Sequence, residues 1–176
     1  SSDLKMISFE NIELTIKTFH KHDLVKEAGL WLLKIYEMEH PNFAGFEFRE
    51  VAKPDFILMT AEGEIGGKQI IRIPENTFEF PLVLMLNLLA HEMIHVKQKA
   101  PEVAMQDKNE REWQAYYEML FHKEFPLIPK ASTYHQKFFA EKAMVYYDRS
   151  EKEANPLRLK YENQKIEIEK LIKSLG

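Results

Sequence analysis

His91-Glu92-Met93-Ile94-His95 is the segment of this chain whose residue types and spacing can carry chemistry. Two histidines four apart share one face of a helix, so both imidazoles can converge on a single metal ion. Glu92 follows the first of them and is set beside the ion's water rather than on the ion. Zinc lowers the pKa of such a water to near 7, and the glutamate then accepts its proton and passes it to a departing amine. The chain has no cysteine, so a transition metal has only His, Asp and Glu to hold it. With 28 acidic residues and 7 histidines, chance can also produce this pattern. The context argues against chance. Residues 82–90, just ahead of the motif, are apolar on every side, and polar groups inside such a helix are costly unless paired or metal-bound. No G-x-S-x-G elbow, phosphate-binding glycine loop or cysteine nucleophile competes with it.

The elements that must position this motif are legible from periodicity. Residues 8–39 carry apolar side chains at helical spacing and predict one or two helices, broken near His20 to Asp23 and ended by Pro41. Residues 46–51 alternate as a half-buried strand does, 56–60 suit a second strand, and Gly63, Gly66 and Gly67 mark a turn into a third over 69–73, forming a hairpin with the second. Pro81 suits the first turn of the motif-bearing helix, whose all-round apolarity places it through the middle of a domain. Further helices are expected over 110–123 and 133–149. Pro156 opens a last, charged helix whose Leu157, Tyr161, Ile168, Leu171 and Ile172 form a stripe suited to packing on the domain or on a partner.

A helix-borne H-E-x-x-H that follows a small sheet resembles the zincin metallopeptidases, and the likeness runs over residues 46–146. The resemblance implies an α+β zincin-like domain over 8–149, with a charged helical segment over 150–176. It also implies that a strand ahead of the helix forms the upper rim of the substrate cleft, and 69–73 is the matching segment. A catalytic zinc takes a third protein ligand and keeps its fourth position open. Glu112 begins Glu112-Trp113-Gln114-Ala115, which looks like the glutamate-zincin (gluzincin) pattern of a ligand Glu with a small residue three positions on. Glu110 is a second candidate, facing roughly the opposite side of that helix. His135, followed three residues later by Phe138, instead resembles the third histidine of SprT-like zincins. With Glu112 on the metal, His135 or Tyr134 would be free to donate a hydrogen bond to the tetrahedral intermediate.

The activity implied is hydrolysis of a protein or peptide substrate by zinc-activated water. The alternatives are an inactive zincin-like binding or immunity protein, and a peptidase effector toxin. The aromatic group Trp113, Tyr116, Tyr117, Phe121 and Phe125 reads as core, and His20, His22, His40 and His122 as solvated side chains. A formal charge of −4, with both signs interspersed, offers no basic stripe for nucleic acid. The longest apolar run, 80–90, is about half of a bilayer crossing, so no membrane span is expected. Together these suggest a soluble protein with a cytoplasmic setting favoured, a processed secreted form being the other possibility.

Overall fold

The structure, a computed structural model, describes residues 7–152 and 157–176. It is of the α+β class, with helices and one small three-stranded sheet. Helix α1 spans Phe9–Lys21 and begins at Ser8, whose side chain accepts from the Asn11 N–H. Helix α2 spans Val25–Ile35 and buries Val25, Ala28, Gly29, Leu32 and Leu33, an i, i+3, i+4, i+7, i+8 stripe. Both helices close in the same way. Asp23 (φ 58°) and Glu37 (φ 56°) turn the chain left-handed. The next amide then reaches back, from Leu24 to the Phe19 carbonyl and from Met38 to that of Leu33. The predicted break at His20 to Asp23 is therefore real. Helix α2, however, stops before the predicted end at Pro41, through a closure built on a glutamate where glycine is the usual signal. Gly29 has a different purpose: a Cβ there would meet the Phe46 ring at 2.7 Å, so its absence lets α2 lie against the sheet.

The sheet has the order β1-β3-β2, with β1 (Phe43–Arg49) parallel to β3 (Gln69–Pro74) and β2 (Thr60–Glu62) antiparallel to it. The expected hairpin is present, in a shifted form. Residues 56–59 lie outside the strand; Phe56 and Leu58 are exposed on the wall of a cleft, whereas Ile57 and Met59 turn to the core. Strand β3 is central and paired on both sides, so the rim role expected for 69–73 does not hold; the edge strands are β1 and β2, and it is Thr60 and Ala61 of β2 that line the cleft.

Helix α3 (Leu82–Gln98) runs between two apolar clusters. One joins it to α1, α2 and the sheet. The other is built by α4 (Lys108–Phe121), α5 (Thr133–Lys152) and α7 (Glu162–Leu175), and Leu84 and Leu88 of α3 pack against both. This sandwiching explains why α3 is apolar on every side. Its C-terminal end is tied to the hairpin, where the Gly66 N–H donates to the Lys99 carbonyl and the Asn42 amide donates to the Val96 and Gly67 carbonyls. Helix α5 runs through the expected boundary at 149/150. A short turn, α6 (Leu157–Lys160), then leads into α7, which seals the second cluster with Tyr161 and Ile168. The reading of Pro156 as a helix opener lies outside the described residues. Among the described residues no helix is long and apolar enough to cross a membrane.

Candidate metal centre

One turn separates His91 from His95 on α3, and their Nε2 atoms lie 3.1 Å apart. Glu112 comes from the first turns of α4, with one carboxylate oxygen 3.0 Å from His95 Nε2 and the other 3.4 Å from His91 Nε2. A ligand atom from each residue falls within 4.8 Å of the other two, and these three residues could hold a metal ion. Ala115, three residues after Glu112, is fully buried in the apolar cluster that holds α3. Asp107 starts α4 by accepting from the Glu110 N–H, which sets the phase that turns Glu112 inward.

The outer nitrogens of both rings are occupied. Gln98 donates through its amide nitrogen to the Arg111 carbonyl and to the Gln114 side-chain oxygen, so its own oxygen accepts from His95 Nδ1 at 2.9 Å. His91 Nδ1 donates to Met119 Sδ at 3.1 Å. Both Nε2 lone pairs consequently face each other and a carboxylate, three acceptors with no donor between them, an arrangement that attracts positive charge. Charge preferences agree. Burial opposes ionisation of His95, yet the Glu112 carboxylate facing Nε2, with Glu92 nearby, raises its pKa, so the site favours a positive charge there. Burial likewise opposes the Glu112 carboxylate, but the two imidazoles that face it favour its charged form and hold its pKa well below the usual range.

Glu92 stands one step outside the trio. One of its oxygens accepts from the Ala61 N–H of β2 at 2.8 Å, and the other lies 3.9 Å from His91 Nε2. Above the group opens a cleft of about 490 Å³, walled by Phe56, Leu58, Tyr116, Phe138 and Phe139. No family model, curated protein or solved structure matches this chain. The meaning of the site therefore rests on its own geometry.

The other candidates fall elsewhere. Glu110 points to Lys160, with both oxygens 3.2 Å from Nζ. His135 pairs with Ser132 at the start of α5 and stacks on Phe139, outside the metal group. Tyr134 is 75% exposed and does not line the cleft. Reading His122 as solvated fails. Left-handed at the end of α4 (φ 48°), it turns back and is buried, donating to Asn87 Oδ1 at 2.7 Å, while Asn87 donates to the Val83 and Pro129 carbonyls. Burial, then Lys130, lower the His122 pKa to about 4. Of the aromatic group read as core, Trp113, Tyr117 and Phe125 are buried, but Tyr116 lies edge-on to His91 and lines the cleft. Sequence reasoning missed Gln98, Tyr116, Met119 and the rim at 56–61. Helical spacing from His95 to Gln98 and from Glu112 to Tyr116 and Met119 marks three of them as facing the same way as the ligands.

Proposed function

We propose that this chain is a zinc-dependent metallopeptidase of the zincin type, with Glu112 as the third ligand in the gluzincin manner. The observation that carries the reading is the division of labour between two glutamates: Glu112 converges on both histidines, while Glu92 stays beside them and faces the cleft. Donor atoms about 2.0–2.1 Å from one tetrahedral zinc lie roughly 3.3 Å apart. The 3.0, 3.1 and 3.4 Å separations within the trio fit that figure. Two imidazoles and a carboxylate are also a ligand set suited to zinc with an open position.

When bound, zinc supplies Lewis acidity, lowering the pKa of water and polarising a carbonyl. Glu92 takes the proton from the attacking water and hands it to the departing amine, so peptide hydrolysis balances without any other acid. The Ala61 N–H keeps the Glu92 carboxylate turned toward the cleft. An extended substrate lies along the outer edge of β2, since both edges of β3 are already used.

Metal analysis of the purified protein should find about one zinc per chain, and His91→Ala or His95→Ala should lose it. Glu92→Gln should keep its zinc and its fold while turnover of peptide substrates disappears. Full zinc content in His95→Ala, or wild-type turnover in Glu92→Gln, would sink the proposal.

A further inference from the structure

Every charged residue lining the cleft, apart from Glu92 and Glu112, is basic: Lys99, Lys108, Arg111 and Lys142. This occurs in a chain with 24 basic and 28 acidic residues, so the cleft carries the opposite sign from the molecule as a whole. The four come from three separate places, the end of α3, the first turn of α4 and the middle of α5. Among the described residues none of them is ion-paired, whereas Arg72 pairs with Glu47 and Glu62, Lys97 with Glu124 and Lys160 with Glu110. Arg111 is held by the Met105 and Gln106 carbonyls, both bound through one terminal nitrogen, which leaves the rest of its guanidinium without a partner. The Lys142 ammonium rests over the Phe138 ring at 5.6 Å. Burial, and then the charge of Arg111, weigh against the Lys99 ammonium and lower its pKa. The Glu92 and Glu112 carboxylates pull the Lys99 pKa the other way without outweighing these two, and four cations outnumber the two carboxylates, so a low-dielectric cleft focuses a positive potential there. A bound zinc ion would bring two positive charges against the two carboxylates, leaving the four basic residues uncompensated.

We infer that the cleft selects acidic peptides, with Lys99, Lys108, Arg111 and Lys142 receiving Asp, Glu or terminal carboxylates on either side of an apolar residue seated among Phe56, Leu58 and Phe138. The apolar walls and the strand edge favour a polypeptide over nucleic acid, since a phosphate backbone needs basic residues continuing beyond one cleft. The inference deepens the peptidase reading and rests on it, but charge selection is measured by binding and hydrolysis by cleavage, so the two fail separately.

The test uses three short fluorescein-labelled peptides with identical apolar residues and flanking positions filled by Glu, Gln or Lys. Each is titrated by fluorescence anisotropy with zinc-loaded Glu92→Gln protein, which cannot consume it. The Glu peptide should bind on the order of tenfold more tightly than the Gln peptide at low ionic strength, the Lys peptide most weakly, and added salt should close the gap. Lys108→Gln with Lys142→Gln, both at exposed positions, should remove most of the difference. Equal affinity for all three peptides, including none for any, overturns the inference, as does a gap that survives the double substitution. A single-stranded oligonucleotide of equal charge that binds as tightly as the Glu peptide also overturns it. Cleavage by the wild-type zinc protein is scored in parallel. Charge-selective binding without cleavage leaves the inference standing and removes the peptidase, while equal cleavage of the Glu and Gln peptides does the reverse.

Discussion

Glu112, His135 and Glu110 have the same claim on a metal by residue type, and only three-dimensional placement separates them. The H-E-x-x-H pair was legible because four-residue spacing fixes a shared helical face. The third ligand lies across a loop whose path no local rule dictates, so the sequence left three candidates open. One chelator titration distinguishes them. Glu112→Ala should release zinc at chelator concentrations about a hundredfold or more below wild type, a larger loss than an outer hydrogen-bond partner causes. His135→Ala and Glu110→Ala should track wild type, the first because His135 meets Ser132, Tyr134 and Phe139 and lies outside the metal group, the second because the Glu110 carboxylate is turned to Lys160. Retention in Glu112→Ala with loss in His135→Ala would reverse the assignment. His122 shows where residue-level reading misled: its charged neighbours in sequence say nothing of the αL turn that buries it. Its pKa, lowered from 6.5 to about 4, means that the folded protein favours the neutral ring. The resulting stability is present above about pH 6.5 and lost as pH falls toward 4. Denaturation of the metal-free protein should show that slope, and His122→Asn, which tolerates the left-handed turn and keeps a donor, should flatten it.

Between elements, the contact that matters is α3 against α4. Ala115 is fully buried one turn from Glu112, in the cluster that holds α3, so Ala115→Leu should separate the helices, costing about 1–3 kcal/mol of stability. It should also weaken zinc binding although no ligand is altered, and unchanged zinc affinity would show that the approach does not depend on a small side chain there. A second coupling runs sideways. His95 donates to Gln98, Gln98 to Gln114, and Gln114 to the Tyr161 hydroxyl at 2.7 Å, linking the metal group to the α6–α7 junction. Removing the acceptor in Tyr161→Phe should weaken zinc by several-fold, and Gln98→Ala by about 10–100-fold. Cobalt substitution would report the same loosening as a changed ligand-field spectrum. Helices were easier to place than strands for a physical reason. The 3.6-residue pattern of α1 and α2 and the long apolar run of α3 each extend over several turns, whereas β2 has three residues and Phe56 and Leu58 just ahead of it face the cleft.

For the molecule as a whole, the α+β class and the order of elements up to α3 followed from periodicity, and the apolar stripe of the C-terminal helix left open whether it packs on the domain or on a partner. It packs on the domain: Tyr161 and Ile168 are buried in the second cluster, and Trp113, Gln114 and Tyr117 of α4 each donate to that segment, at Gln164, Tyr161 and Glu167. Deleting 157–176 should uncover Trp113, Tyr117 and Tyr147, lowering the melting temperature of the zinc-free protein and the zinc affinity together. A truncated chain with normal zinc affinity would show that α4 holds its position unaided. The placement of α3 between two clusters also has a kinetic meaning. Opening of the α4, α5 and α7 side still leaves α3 covered by the sheet and the first two helices, and opening of the other side leaves it covered by the second cluster. Its amides should therefore exchange with deuterium only through global unfolding, while those of α4 exchange through smaller openings. The two histidines would then belong to the slowest-exchanging part of the chain and the carboxylate ligand to a faster one, so that metal departure begins with Glu112 and its rate follows the opening of one half of the protein.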